Sequence, residues 1–299
     1  MFAETFPSRQ VRATGDGGHT AYRPLVTTFV ALGDSLTEGV GDPHPSWPNG
    51  LRGWADLVAS RLAVHDPATE YANLALRGRT ARDVAAEQLP PALRMRPDVV
   101  TVWAGGNDVL RPVLRLDDVL APVDHTLASL IATGATVVVF TGFEVTGSPA
   151  FGPVRSRVRR LNAGLREIAQ DRGALVADVS DRAEWSDRRL WADDRVHPSV
   201  LGHARLAAQV LRLLGLEGVA PPVLGAGPRA NRGRVVVDEV RWWRHHAVPH
   251  IARWASGASR RELVLPKWSV PVRPSGARPW FEGGNDLAAT SAQPLRSPG

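Results

Sequence analysis

Cysteine is absent from these 299 residues, lysine occurs once, at Lys267, and tyrosine and methionine occur twice each. The lack of cysteine excludes disulfides and thiolate metal sites. No apolar run reaches the roughly 18 residues that a membrane-spanning helix needs. Residues 1–24 contain no apolar stretch of the kind a secretory signal carries, and residues 29–32 are too few for one. A cytoplasmic protein is therefore expected. Excess positive charge is confined to the end of the chain. From Gly225 onward 12 basic residues face 5 acidic ones, which more than accounts for the net charge of +6. The near-exclusive use of arginine reads as genome composition rather than chemistry.

What the chain does contain is a regular alternation. Short apolar runs at 28–32, 70–74, 99–103, 136–141 and 174–179 are rich in β-branched and aromatic residues, as strands covered on both faces are. Helical patterns at 54–63, 80–88, 117–133, 154–171 and 198–214 lie between or after them. Gly134 and Gly173 stand just past two of these, where a left-handed cap is expected. The alternation predicts an α/β protein with a doubly wound parallel sheet, whose site lies at the carboxyl ends of the strands. Residues 1–24 form an N-terminal arm, 25–217 the α/β domain, 218–234 a Gly/Pro-rich linker, and 235–299 a basic, Trp-rich extension. Within that extension the reading gives a helix over 235–255 and a disordered or surface-draped chain from Pro271.

Four separated blocks carry chemistry: Gly33-Asp34-Ser35-Leu36, residues 73–80 around Gly78, Gly105-Gly106-Asn107-Asp108, and Asp194-Arg195-Val196-His197-Pro198. Ser35 sits on a sharp strand-to-helix bend that exposes its hydroxyl, although a serine there equally serves as a helix N-cap. A serine nucleophile needs an adjacent base. Of the nine histidines, only His197 has a carboxylate three residues before it and a proline directly after. Asp194 can curl back onto Nδ1 and leave Nε2 free, with Pro198 opening the next helix. A surface loop would show the same pattern. Gly78 and Asn107, with the backbone N–H of Ser35, can supply donors to an oxyanion, yet each also fits an ordinary turn. Asp34 and Asp108 read as loop anchors, His203 as helix packing, and Trp47 as a pocket wall or a packed loop residue.

Together, in this order, the blocks resemble the SGNH/GDSL hydrolase family over about residues 25–217. The resemblance implies a flavodoxin-like three-layer α/β/α fold and hydrolysis of a carboxylic ester through an acyl-serine intermediate. It implies Ser35 as nucleophile, His197 as base, Asp194 as its orienting acid, and Ser35, Gly78 and Asn107 as the oxyanion hole. No cofactor and no metal are expected: His245, His246 and His250 cluster, but Pro249 interrupts them and no acidic ligand stands near. The substrate would be a small-molecule or lipid ester, with thioesterase or lysophospholipase activity as alternatives for the same residues. A catalytically idle binding module is the alternative of another class. For the basic extension, an apolar stripe of Val236, Val240, Trp243, Ala247 and Ile251 docking on the domain competes with a membrane-surface contact. Nucleic acid is the weaker partner.

Overall fold

The computed structural model describes residues 28–144, 152–181, 183–216 and 264–274. Five parallel strands build most of one sheet: β1 (Thr28–Gly33), β2 (Glu70–Asn73), β3 (Val99–Trp103), β4 (Thr136–Phe140) and β5 (Leu175–Ala177). The first and last residues of each run agree with the sequence pattern to within two positions. Successive strand residues feed opposite cores. Phe29 and Ala31 pack with Trp54, Trp103, Phe140 and Leu206 on one face, while Val30 and Leu32 pack with Val100, Val102, Leu127 and Leu161 on the other. Burial on both sides explains why these strands read as unbroken apolar runs.

The helices are α1 (Ser35–Glu38), α2 (Trp54–His65), α3 (Ala81–Asp83), α4 (Leu89–Met95), α5 (Asp117–Ile131), α6 (Gly152–Arg172) and α7 (Val200–Leu213). A π turn over Val84–Gln88 joins α3 to α4, so helix continues past the predicted end at residue 88. Pro90 and Pro91 fall in the first turn of α4, directly after the π turn, a position that tolerates proline. Gly134 and Gly173 take the expected left-handed conformation, with φ of 88° and 74°.

Beyond residue 216 the structure departs from the sequence reading. β6 (Trp268–Val272) joins the sheet antiparallel to β2, giving the order β5-β4-β3-β1-β2-β6. Pro271, which suggested unstructured chain, fits an edge strand because an edge leaves some N–H positions unpaired. Lys267 is buried beside β6, where its ammonium contacts the Asp56 carboxylate and the carbonyls of Leu51 and Arg52, the latter two at 3.3 Å. Asp56 also accepts the Tyr71 hydroxyl and the Trp268 indole N–H, both at 3.1 Å. Burial pushes the Asp56 carboxyl up, and Lys267 opposes it. The lone lysine is thus a buried ion-pair partner. The N-terminal arm, the linker, the helix over 235–255 and its apolar stripe lie outside the described residues. No helix among the described residues is long and apolar enough to cross a membrane.

Candidate active site

The site forms where β1, β2 and β3 end. Asp34 caps α1 by accepting the Leu36 N–H at 3.0 Å, which leaves Ser35 as the first helical residue with its hydroxyl uncommitted to capping. That hydroxyl lies 2.8 Å from Nε2 of His197, and Nδ1 of His197 lies 2.6 Å from Oδ2 of Asp194. The sequence places Ser35 and His197 162 residues apart; the fold puts them in hydrogen-bond contact.

The loop carrying His197 is held from several sides. Arg195 adopts a left-handed conformation, φ 57°, which bends the chain so that Oδ1 of Asp194 accepts the backbone N–H of both Val196 (2.9 Å) and His197 (3.0 Å). Burial alone would raise the Asp194 carboxyl, but the hydrogen bond and charge of His197 and these two backbone donors outweigh it. They hold Asp194 well below the usual carboxylate range. An ionised Asp194 accepts Nδ1–H and so fixes the tautomer that presents a basic Nε2 to Ser35. Trp191 bridges to Pro198 and donates its indole N–H to the Trp185 carbonyl at 2.9 Å. Pro198 does not open α7 as expected. Ser199 is the N-cap, accepting the Gly202 N–H at 3.3 Å, and Pro198 stands one residue earlier. Gly41 (φ 101°) lets the loop after α1 press against this turn: a Cβ there would lie 2.0 Å from the Pro198 carbonyl oxygen.

The remaining candidates converge on the same rim. Gly78 has φ 77°, a backbone that favours glycine. Among the described residues no protein acceptor meets the backbone N–H of Gly78 or of Ser35. Asn107 lies beside Asp34: its Nδ2 donates to Oδ2 of Asp34 at 3.1 Å and to the Arg79 carbonyl at 2.9 Å. Both amide protons thus have protein acceptors at rest, so service to an oxyanion requires sharing one of them. Asp34 is fully enclosed, and burial raises its carboxyl to about 7 against the Leu36 N–H and the charge of His197. Asp108 anchors a neighbouring turn by accepting the Ala81 N–H at 2.9 Å. His203 is buried packing, as expected. Its Nδ1 accepts the Trp54 N–H, and its Nε2 donates to the Val40 carbonyl. Trp47 packs edge-on against Trp268, at 6.4 Å between ring centroids.

A family model described as the GDSL-like Lipase/Acylhydrolase family matches residues 31–205, more than half of the chain. The chain belongs to that family. This GDSL hydrolase is 29% identical over 209 residues to an acetylxylan esterase of Geobacillus stearothermophilus, covering 64% of the chain and 95% of that enzyme. A solved structure of a catalytic mutant of the Geobacillus enzyme has a TM-score of 0.55 at 25% identity, over 64% of this chain and 94% of its own. The structure of LAE5, an alpha/beta hydrolase from the metagenome of Lake Arreo, Spain, has a TM-score of 0.55 at 24% identity, over 64% and 96%, and supports the fold alone. Catalytic mutants of the Geobacillus esterase alter one serine, one aspartate and one histidine, the last two three positions apart. This chain is accordingly a carboxylic ester hydrolase of the SGNH/GDSL type.

Two site-adjacent residues escaped the sequence reading. Glu38, fully buried at the end of α1, holds the main chain and guanidinium of Arg77, next to Gly78. A glutamate one helical turn after the candidate nucleophile and an arginine just before the candidate donor were visible, but nothing in the sequence paired them.

Proposed function

We propose that this esterase removes small acyl groups, acetyl foremost, from hydroxyl-rich substrates such as acetylated xylo-oligosaccharides, with Ser35 as nucleophile. The observation that carries the chemistry is the unbroken chain from Asp194 through His197 to the Ser35 hydroxyl, at 2.6 and 2.8 Å. Ser35 Oγ attacks the acyl carbon while His197 Nε2 takes its proton. Charge that develops on the carbonyl oxygen meets the N–H groups of Ser35 and Gly78 and the Asn107 amide. The imidazolium, steadied by Asp194, passes the proton to the departing alcohol. Water then attacks the acyl-serine by the same route, releasing the acid and restoring Ser35.

The substrate class draws support from the acetylxylan esterase relative. Acetate release from acetylated xylo-oligosaccharides, measured beside hydrolysis of p-nitrophenyl esters of two to twelve carbons, tests this reading. Substantial deacetylation and a preference for the acetate ester are expected. A clear preference for long acyl chains, with no acetate released from the sugar, would replace the proposed substrate with a lipid ester. Fluorophosphonate labelling that persists in Ser35→Ala would refute the nucleophile.

A further inference from the structure

We infer that the late strand β6 is a positioning element of the oxyanion loop, acting through Asn49 and Glu38 on the backbone of Arg77. This rests on the proposed role of Gly78 as an oxyanion donor.

The connection is a chain of hydrogen bonds. Nδ2 of Asn49 donates to the Leu265 carbonyl, just before β6, at 3.0 Å, and to Oε1 of Glu38 at 3.3 Å. Oε2 of Glu38 accepts the backbone N–H of Arg77 at 2.8 Å, and its Oε1 accepts the Arg77 Nη2 at 2.7 Å. The Glu38 side chain has no solvent exposure, whereas that of Arg77 is one-third exposed. Arg77 directly precedes Gly78, so a carboxylate rooted in the nucleophile's own helix fixes the peptide leading into the candidate donor. A second tie runs in parallel. Asn73, the register partner of Trp268, donates from Nδ2 to the Thr37 carbonyl at 3.0 Å, within α1. The Lys267–Asp56 pair holds the residue that directly precedes β6.

An apolar replacement of Glu38 would leave the Arg77 backbone N–H without its acceptor, so the carboxylate satisfies a backbone donor as well as balancing charge. What the pair adds is direction: a planar carboxylate, gripped by a forked guanidinium, sets the orientation of one peptide N–H. Orientation is what an oxyanion hole depends on, because a displacement of about 1 Å costs about 100-fold in rate.

The test uses full-length protein and p-nitrophenyl acetate. Glu38→Gln keeps the volume but turns an amide donor toward two N–H donors, and kcat should fall about 10- to 100-fold. Asn49→Ala, at an exposed position, should lower kcat about 3- to 10-fold, with KM within about twofold of the parent in both variants. Phenylboronic acid, whose tetrahedral adduct with serine places an oxygen in the hole, should bind more weakly by the factor lost from kcat/KM. A merely structural role would leave that ratio unmoved. Parental kcat in either variant with a native circular dichroism spectrum would overturn the inference, as would a loss confined to KM or undiminished boronic acid affinity. If Glu38→Gln does not fold, Asn49→Ala decides alone. Loss of turnover in Ser35→Ala and Asn107→Ala beside normal Glu38→Gln and Asn49→Ala overturns this inference only. An active Ser35→Ala overturns the reading beneath it.

Discussion

Two regions of this molecule each gather a carboxylate, a basic side chain and further hydrogen-bond donors from distant parts of the chain, and water separates their uses. At the rim, Asp194 meets His197 and Ser35, with the Asp194 side chain 32% exposed and that of His197 10%. At the β2–β6 edge, Asp56 meets Lys267, Tyr71 and Trp268 with neither member of the ion pair exposed at all. The rim constellation can accept a substrate and exchange protons. The edge constellation has every polar group matched to a protein partner and no route for a ligand, so it acts as a latch. Enclosure, more than residue type, distinguishes the reactive cluster from the structural one.

The contrast breaks most sharply at Ser35. Ser35→Ala should reduce turnover by a factor on the order of 10⁶ while the urea midpoint stays at the parental value. Asp194→Asn should cost about 10⁴, because an amide can present its N–H₂ to Nδ1 and select the wrong tautomer. An Asp194→Asn enzyme with near-parental kcat would move Asp194 from the reactive cluster to the structural one.

At the latch the signs reverse. Lys267→Met leaves Asp56 buried without its cation and should destabilise by about 3–5 kcal/mol, read from denaturant unfolding. The double variant Asp56→Leu/Lys267→Met removes the uncompensated charge but strands the Tyr71 hydroxyl and the Trp268 indole N–H, so it should recover only part of that loss. Full recovery would mean that these hydrogen bonds add little to stability beyond charge balance. Asn107→Ala sharpens the boundary between the regions. As an oxyanion donor it should cost about 10²–10³ in kcat, roughly 2.7–4 kcal/mol. As an anchor for Asp34 and the Arg79 carbonyl alone, it would lower stability and leave kcat nearly intact.

The rim was legible because its parts are local. Three blocks supply a serine, a glycine and an asparagine within a few residues of a strand end, the fourth supplies an Asp-x-x-His just before α7, and parallel α/β topology brings strand ends together. The edge was not legible. β6 is short and carries Pro271, so its period-two signal is too weak to mark it as a strand. Its partner β2 is only four residues long, and pairing across some two hundred residues leaves no local trace. Lys267 was conspicuous as the sole lysine, but rarity alone does not identify a partner. Ser199 was passed over as a cap because Pro198 beside it offered an easier helix start.

The smallest effect concerns His203, which lies fully buried between Trp54 and Val40 and shares features of both regions. It is an ionisable group near the site, yet enclosed like the latch. Burial lowers it to about 4, which suits a neutral ring that accepts at Nδ1 and donates at Nε2. In the unfolded chain a histidine takes up its proton near 6.5. Between pH 6.5 and 4 the unfolded state therefore binds a proton that the folded state refuses, and stability falls as pH falls through this window. The contribution is complete above pH 6.5 and amounts to about 3 kcal/mol across the window. Asp34, raised by burial to about 7, works in the opposite direction, because its folded form holds a proton that the unfolded form releases. The parent can thus show a shallow pH profile that conceals both terms. Urea unfolding of the parent and of His203→Gln at pH 7 and pH 4 separates them. The variant's deficit at pH 7 should shrink by about 3 kcal/mol at pH 4, whereas an equal deficit at both values would mean that His203 is protonated or solvated in the folded protein.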